Sequence, residues 1–448
     1  MDSLIEQLIV DYHERALPQF SRRNINLPCL KGKIDTVIGM RRTGKTFLLF
    51  QIMQDYLQQG IAKEAMLYIN FDDERLLPLS VSELGKISDS YFRLYPEMRE
   101  ATCYFFFDEI QNTPGWESYC RRLIDTENIQ LIVTGSSAKL LSKEIATSLR
   151  GRSISTEVFP FSFREVLEQQ KIDVGQTRPG AKKRSLIENR FRNYLVTGGF
   201  PEIQNVASDY RYRILQEYVD VVILRDVIER YQIGNIIPLR MLVRHLLNSP
   251  AALFSINKFY NDLKSQGVTC GKNTLHEFFE YLTDAYLIYP VSIHSRSERA
   301  KRVNARKIYV IDTGLIYAYK NHPGSDFGQI LENFVYMQLR REGQQIDYYR
   351  TKSGYEVDFI TTAQDGRQSL YQVSYNIDDP KTREREIRAL EEAMIETGLV
   401  DGIIITIQDE EVIELDHGII KMVPAWLWCL NSKDFIAKDL TQMQQHKA

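Results

Sequence analysis

Gly39-Met40-Arg41-Arg42-Thr43-Gly44-Lys45-Thr46 stands between the apolar run Thr36-Val37-Ile38 and a helix-like stretch from Phe47 to Gln59. The pattern G-x-x-x-x-G-K-T, with a strand before it and a helix after it, is that of a phosphate-binding loop. Its two glycines let the backbone curl until successive N–H groups point inward at phosphate oxygens, and the following helix adds partial positive charge at its N-terminus. Lys45 is then placed to reach the β- and γ-phosphates of ATP, and Thr46 to hold a magnesium ion. Gly39, Arg41, Arg42, Thr43, Gly44 and Phe47 complete the nucleotide-binding set. Either arginine adds charge near the phosphates or points to solvent.

A second segment, Tyr104-Phe105-Phe106-Phe107-Asp108-Glu109, is a wholly apolar run ending in two carboxylates. It reads as a buried parallel strand that delivers acids to its C-terminal edge, where ligands of such sheets lie. Asp108 is expected to support the magnesium, and Glu109 to orient and activate the attacking water. Taken alone, a strand followed by Asp-Glu is explained by a solvated turn; some sixty residues after a phosphate loop it is not. Strand candidates at 34 to 38, 65 to 71, 103 to 107 and 130 to 134 alternate with amphipathic helices, with Gly60 as a helix C-cap. That alternation predicts an α/β fold, a parallel sheet with helices on both faces.

The 448 residues suffice for two or three domains, and 44% apolar residues supply a core for each. A net charge of -3 offers no chain-wide attraction to nucleic acid or an acidic membrane, so such contact needs a local patch. The five cysteines form no C-x-x-C pair and are odd in number, against a disulfide framework or a zinc site. The N-terminus lacks the pattern of a signal peptide, and no apolar stretch is long enough to span a bilayer. A cytoplasmic protein with no membrane partner is the expectation.

Domain boundaries are expected at 1–168 for the phosphate-loop domain, 185–250 for a helical linker or lid, 251–325 for a winged-helix domain and 326–430 for a small α/β domain. Ser162-Phe163-Arg164-Glu165 is a capping box ahead of a helix. From Ser255 to Val310 the order is helix, turn, helix and hairpin, as in a winged helix. The segment 295 to 307 holds Arg296, Arg299, Lys301, Arg302, Arg306 and Lys307 against one acid, Glu298. Such a cluster fits DNA phosphates, and equally a solvated loop or a protein docking surface. Lys272 and Asn273 would face base edges if the second helix were a reader. Gly198 and Gly199 are expected to supply positive φ before Pro201.

The chain resembles bacterial and archaeal AAA-type ATPases whose C-terminal half is a domain of unknown function with a winged helix and a restriction-endonuclease-like core. The stretches that carry the resemblance are GMRRTGKT (39–46), FFFDEIQN (105–112), LIVTGSSA (131–138), LRGR (149–152), FPFSFRE (159–165), TGGFPE (197–202), ILRDVIERY (223–231), IDTGL (311–315), LENFVY (331–336) and RTKSGYEVDF (350–359). The resemblance implies that Thr134 and Ser136 sense the γ-phosphate, where an ordinary Thr-Gly-Ser turn is the alternative. It also implies that Arg152 acts on transition-state charge, in cis or from a neighbouring subunit, where a surface salt bridge is the alternative. In the nuclease-like core, Glu332, Glu356 and Asp358 fit the metal-binding places. Gln372 and Ser374 stand where a carboxylate and a lysine belong, which removes an anionic ligand and the ammonium, so cleavage is not expected.

Overall fold

The computed structural model describes residues 2–76, 78–136, 149, 151–175, 179–320 and 327–437, the side chains of 432–437 excepted. Ser137, Ala138 and Arg150, which belong to the quoted stretches, lie outside the described residues. The chain packs as two compact units, residues 1–159 with 284–286, and residues 160–283 with 287–448.

The first unit is built on β1 (Ile34–Ile38), β2 (Met66–Asn70), β3 (Cys103–Asp108), β4 (Ile129–Gly135) and β5 (Ser153–Glu157). These pair in the order β2-β3-β4-β1-β5, every pair parallel, which is the α/β sheet of a phosphate-loop NTPase. All five residues of β1 are buried, as a strand covered on both faces requires. The helix Lys45–Gln58 lays Leu48, Leu49 and Met53 against Val37, Phe106 and Ile132. It ends just before Gly60, whose φ of 84° is the left-handed turn that a residue with a Cβ resists. Ile38 pairs with Gly135, and Asn70 with Asp108. The ends of β1, β3 and β4 therefore meet at one edge of the sheet.

In the second unit, helices Phe163–Gln169, Ala181–Thr197 and Ser208–Val221 are followed by the π-helical stretch Val222–Glu229 and the helix Ile237–Asn248. Next comes an antiparallel sheet of β6 (Leu253–Phe254), β7 (Ile288–Val291) and β8 (Arg306–Val310) in the order β6-β8-β7. Helices Ile256–Ser265 and Lys272–Asp284 lie between β6 and β7 in sequence. A six-stranded sheet completes the unit: β9 (Gln345–Arg350), β10 (Glu356–Thr362), β11 (Gln368–Ser374), β12 (Asp401–Thr406), β13 (Glu411–Leu415) and β14 (Gly418–Pro424), ordered β13-β14-β12-β11-β10-β9.

Compact packing divides the chain at 159, short of the 168 expected for the phosphate-loop domain. The segment from Pro160 packs with the second unit because its backbone is held there: Phe161 donates to the Gly199 carbonyl at 2.6 Å, and Tyr194 donates to the Phe161 carbonyl at 2.7 Å. The capping box forms as read, with Ser162 N–H donating to the Glu165 carboxylate at 2.8 Å. The stretches expected as separate domains at 185–250, 251–325 and 326–430 share this one unit.

Of the two glycines expected to supply positive φ, Gly198 does and Gly199 does not, and both do more than turn the chain. Gly199 N–H donates to Asp312 Oδ2 at 2.7 Å, Gly314 N–H donates to Asp312 Oδ1 at 2.9 Å, and the Asp312 carboxylate is buried. Burial pushes that carboxyl up to about 6 against the pull of the two amides. Gly198 has φ 71°, and a Cβ there would lie 1.8 Å from Asp312 Oδ1. Gly198→Ala is therefore expected to lower stability by at least about 2 kcal/mol, read from denaturant unfolding. An unchanged midpoint would contradict this packing.

Candidate active site

The loop after β1 is shaped by positive φ at Gly39 (143°), Arg42 (69°) and Gly44 (98°), the last being the N-cap of the helix Lys45–Gln58. Gly39 admits no side chain, since a Cβ would lie 2.3 Å from the Val158 carbonyl oxygen just beyond β5. Thr43 Oγ1 donates to the Met40 carbonyl at 2.9 Å and closes the turn. A buried arginine braces the loop from behind: Arg23 donates to the carbonyls of Thr43 at 2.8 Å and Phe159 at 2.7 Å. Arg41 is half-buried, whereas Arg42 and Phe47 are exposed.

The Lys45 ammonium is buried inside the loop. It donates to the carbonyls of Gly39 at 3.1 Å and Met40 at 3.2 Å, and lies 3.4 Å from Glu109 Oε1. Thr46 Oγ1 donates to Asp108 Oδ2 at 2.7 Å, so the two residues expected to share a magnesium ion are in contact. Asp108 also accepts from Tyr68 Oη at 3.1 Å and from Thr134 Oγ1. Burial and the neighbouring Glu109 raise the Asp108 carboxyl above its ordinary value, although the hydroxyl donors oppose this. A cation of charge two at this position would relieve that penalty, which is the fit that a hard, oxygen-seeking ion requires.

Glu109 adopts a left-handed φ of 52° at the end of β3, and its N–H donates to Thr134 Oγ1 at 2.9 Å. Burial works to raise its carboxyl; the Lys45 ammonium and the Gln111 amide outweigh burial and hold it below the usual range. Gln111 Nε2 donates to Glu109 Oε2 at 2.6 Å and approaches Ser136 Oγ at 3.4 Å. Thr134 and Ser136 are thus both in the cluster, with Thr134 joined to both acids. The simple reading of a Thr-Gly-Ser turn with purely local bonds does not describe them.

Arg152 is not in the cluster. It precedes β5, and its carbonyl accepts from Ile34 N–H, which places it at the start of β1, the opposite end from the phosphate loop. Five strand residues, roughly 15 Å, separate the two ends. Its guanidinium instead pairs with Asp125 at the surface. The expected action in cis is therefore corrected, and only a contribution to a neighbouring subunit's site stays open.

The second unit holds another cluster. Glu332, on the helix Phe327–Arg341, meets Glu356 and Asp358 of β10, as expected. A register shift between Val357 and Ile360 of β10 marks a bulge that turns Asp358 inward. Their common partner is Lys307 of β8, whose ammonium lies 2.9 Å from Glu332 Oε1, 2.8 Å from Glu356 Oε1 and 2.8 Å from Asp358 Oδ1. Burial and Asp358 push the Glu332 carboxyl up to about 7. Lys307 is held well above its ordinary value by the three carboxylates, which overcome its burial. Gln372 is engaged, accepting from Asp358 N–H at 3.2 Å and donating to the buried Glu386 at 2.5 Å. Ser374 donates to the Asn376 carbonyl at 3.3 Å.

Lys307 also corrects the reading of the basic segment. Only 3% exposed, it cannot meet a phosphate. Arg296, Arg299 and Arg302 are exposed, while Lys301 is half-buried and lies 3.6 Å from Glu298 in the short helix Glu298–Val303. Among the described residues, no group of three or more His, Cys, Asp or Glu side chains is arranged to hold a metal ion, and no helix is long and apolar enough to cross a membrane.

Residues 31–167 match the model of an AAA domain, and 188–326 and 327–428 match two domains of unknown function, DUF8612 and DUF4143. An uncharacterized protein of Methanocaldococcus jannaschii is 36% identical over 438 residues, which is 95% of each chain. The chain belongs to this family of AAA-domain proteins. A second uncharacterized relative, from Haemophilus influenzae, is 31% identical over 350 residues, 77% of this chain and 83% of its own. Among solved structures, a Walker-type ATPase of Pyrococcus abyssi matches at 16% identity with a TM-score of 0.40, covering 71% of this chain and 94% of that one.

Four residues of this AAA-domain chain join these clusters without belonging to a motif position that predicts it: Arg23, Tyr68, Gln111 and Glu386. The buried positions of Arg23 and Glu386 depend on contacts between distant segments, for which a charged residue in a polar run gives no sign. Gln111 had one signal, its place two residues after Glu109.

Proposed function

We propose that this AAA-domain protein binds ATP with magnesium and hydrolyses it, and that the nucleotide state repositions the winged-helix and nuclease-like region that follows. The observation that carries the reading is the meeting of Lys45, Thr46, Asp108 and Glu109 at one sheet edge. Loop amides and the helix N-terminus receive the phosphates, and Lys45 exchanges its carbonyl partners and Glu109 for phosphate oxygens. Thr46 and Asp108 hold the magnesium ion, which neutralises phosphate charge when bound. Glu109, freed of Lys45, then accepts a hydrogen bond from the attacking water. Thr134 fixes both acids, and Gln111 limits the swing of Glu109. Phosphate release from ATP by the purified full-length chain, with magnesium and with a chelator, tests turnover; no release above the uncatalysed rate would defeat it.

A second reading, an ATP-switched DNA-binding regulator with little turnover, is favoured by one arrangement. The helix pair 256–284 followed by the antiparallel β7 and β8 supports a winged helix, and exposed Arg296, Arg299 and Arg302 lie in its connecting segment. Duplex DNA should then bind with a steep salt dependence, and binding insensitive to salt would exclude phosphate contacts by these arginines. Phosphodiester cleavage is not proposed, because Gln372 and Ser374 supply neither the carboxylate nor the ammonium that the chemistry needs.

A further inference from the structure

Three carboxylate oxygens, from Glu332, Glu356 and Asp358, converge on one point, and a lysine from outside the six-stranded sheet fills it. An ammonium has three N–H donors and no acceptor. Lys307 donates to Glu332 Oε1 at 2.9 Å and Asp358 Oδ1 at 2.8 Å, and forms an ion pair with Glu356 Oε1 at 2.8 Å. The lengths are those of charge-assisted hydrogen bonds, whereas magnesium would draw the same oxygens to roughly 2.1 Å and keep several waters.

The lysine is fixed at both ends. Its backbone lies in β8, the central strand of its sheet, opposite Leu253 of β6 and Val291 of β7. Strand alternation puts Lys307 and Tyr309 on one face, and Tyr309 Oη also donates to Glu332 Oε1, at 2.7 Å. Asn333, next to Glu332, both accepts from Val310 N–H at 2.7 Å and donates to its carbonyl at 2.8 Å. Across the cluster, Asp358 Oδ2 accepts from Val373 N–H at 2.9 Å. Glu356 has a longer second contact, 3.8 Å to Arg350, so each carboxylate around the ammonium has a partner besides Lys307.

We propose that Lys307 is a built-in cation that takes the place of a divalent metal, making the carboxylate cluster a permanent clamp between β8, the helix Phe327–Arg341 and β10. A divalent ion can take this point only if the buried ammonium leaves it, which would strip Lys307 of its three carboxylate partners. The clamp makes the three-stranded and six-stranded sheets one mechanical body. It stands independently of the nucleotide reading.

The test uses the full-length protein without nucleotide and manganese alone as the probe, with bound ion counted by electron paramagnetic resonance and stability read from thermal unfolding. Wild type is expected to melt at the same temperature in manganese and in chelator. Lys307→Met, which leaves the Glu332 and Asp358 carboxylates without a cation and Glu356 with only the longer Arg350 contact, should melt lower by about 5 °C or more, regain most of the loss in manganese, and bind one more ion than wild type. A folded Lys307→Met that neither binds an extra ion nor is stabilised by one would overturn the proposal. If that variant does not fold, wild type and Asp358→Asn decide: equal manganese counts support the clamp, and an ion present in wild type but lost in Asp358→Asn overturns it.

Discussion

Glu109→Gln is expected to lower ATP turnover by roughly 10²- to 10⁴-fold, the span of a lost general base, while ATP still binds. The change keeps the side-chain shape and removes the charge. That charge lies 3.4 Å from the Lys45 ammonium and would compete with phosphate for it. Removing the competitor leaves affinity equal or higher, so binding and turnover should separate in this variant. Phosphate release and an ATP titration on the same sample read the two effects. Turnover equal to wild type would take from Glu109 the role given to it.

Lys45→Ala should lose both. The ammonium is buried against the carbonyls of Gly39 and Met40 inside the loop, and its bonds to phosphate would be charge-assisted. Losing bonds of about 1.5–3 kcal/mol weakens ATP by roughly 10- to 100-fold, and turnover falls further because the same group neutralises transition-state charge. The variant should still fold, since Thr43, Arg23 and the glycines shape the loop without Lys45. Affinity within error of wild type would show that phosphates do not lie against this residue.

These two residues could be placed from the sequence because their neighbours are local or dictated by parallel pairing. A phosphate loop positions its own lysine and threonine, and a buried strand four or five residues long leaves its terminal acids at one predictable edge. The Thr46–Asp108 contact, 62 residues apart in sequence, follows from β1 and β3 ending together. Arg152 fails by the same geometry: it sits before a strand, at the far end, and a motif of two or three residues carries no record of which end it occupies. β5 was not expected because Ser153-Ile154-Ser155-Thr156-Glu157 lacks an apolar run, being only half-buried. β6 has two residues, too few for any period to show. The β13 and β14 hairpin leaves little mark in the sequence, since Glu411 and Glu414 give β13 the look of a surface loop, and that strand is largely exposed.

Lys307 is the most instructive of these differences. In the segment 295 to 307 every basic residue carries equal weight, and summed charge fits a phosphate surface, a solvated loop or a docking surface alike. Position within β8 decides otherwise, because alternation turns 307 and 309 toward the carboxylates while 306 and 308 face the other way. The lysine missing at Ser374 has a counterpart from another strand, which no inspection of the β11 motif could reveal.

The most direct test of the central claim is a calorimetric titration of the full-length chain with ATP, run in magnesium and again in chelator. Saturable binding of one ATP per chain, tighter in magnesium and with that gain lost in Asp108→Asn, is the predicted result. Absence of saturable binding, or binding that ignores both magnesium and Asp108, would contradict the account.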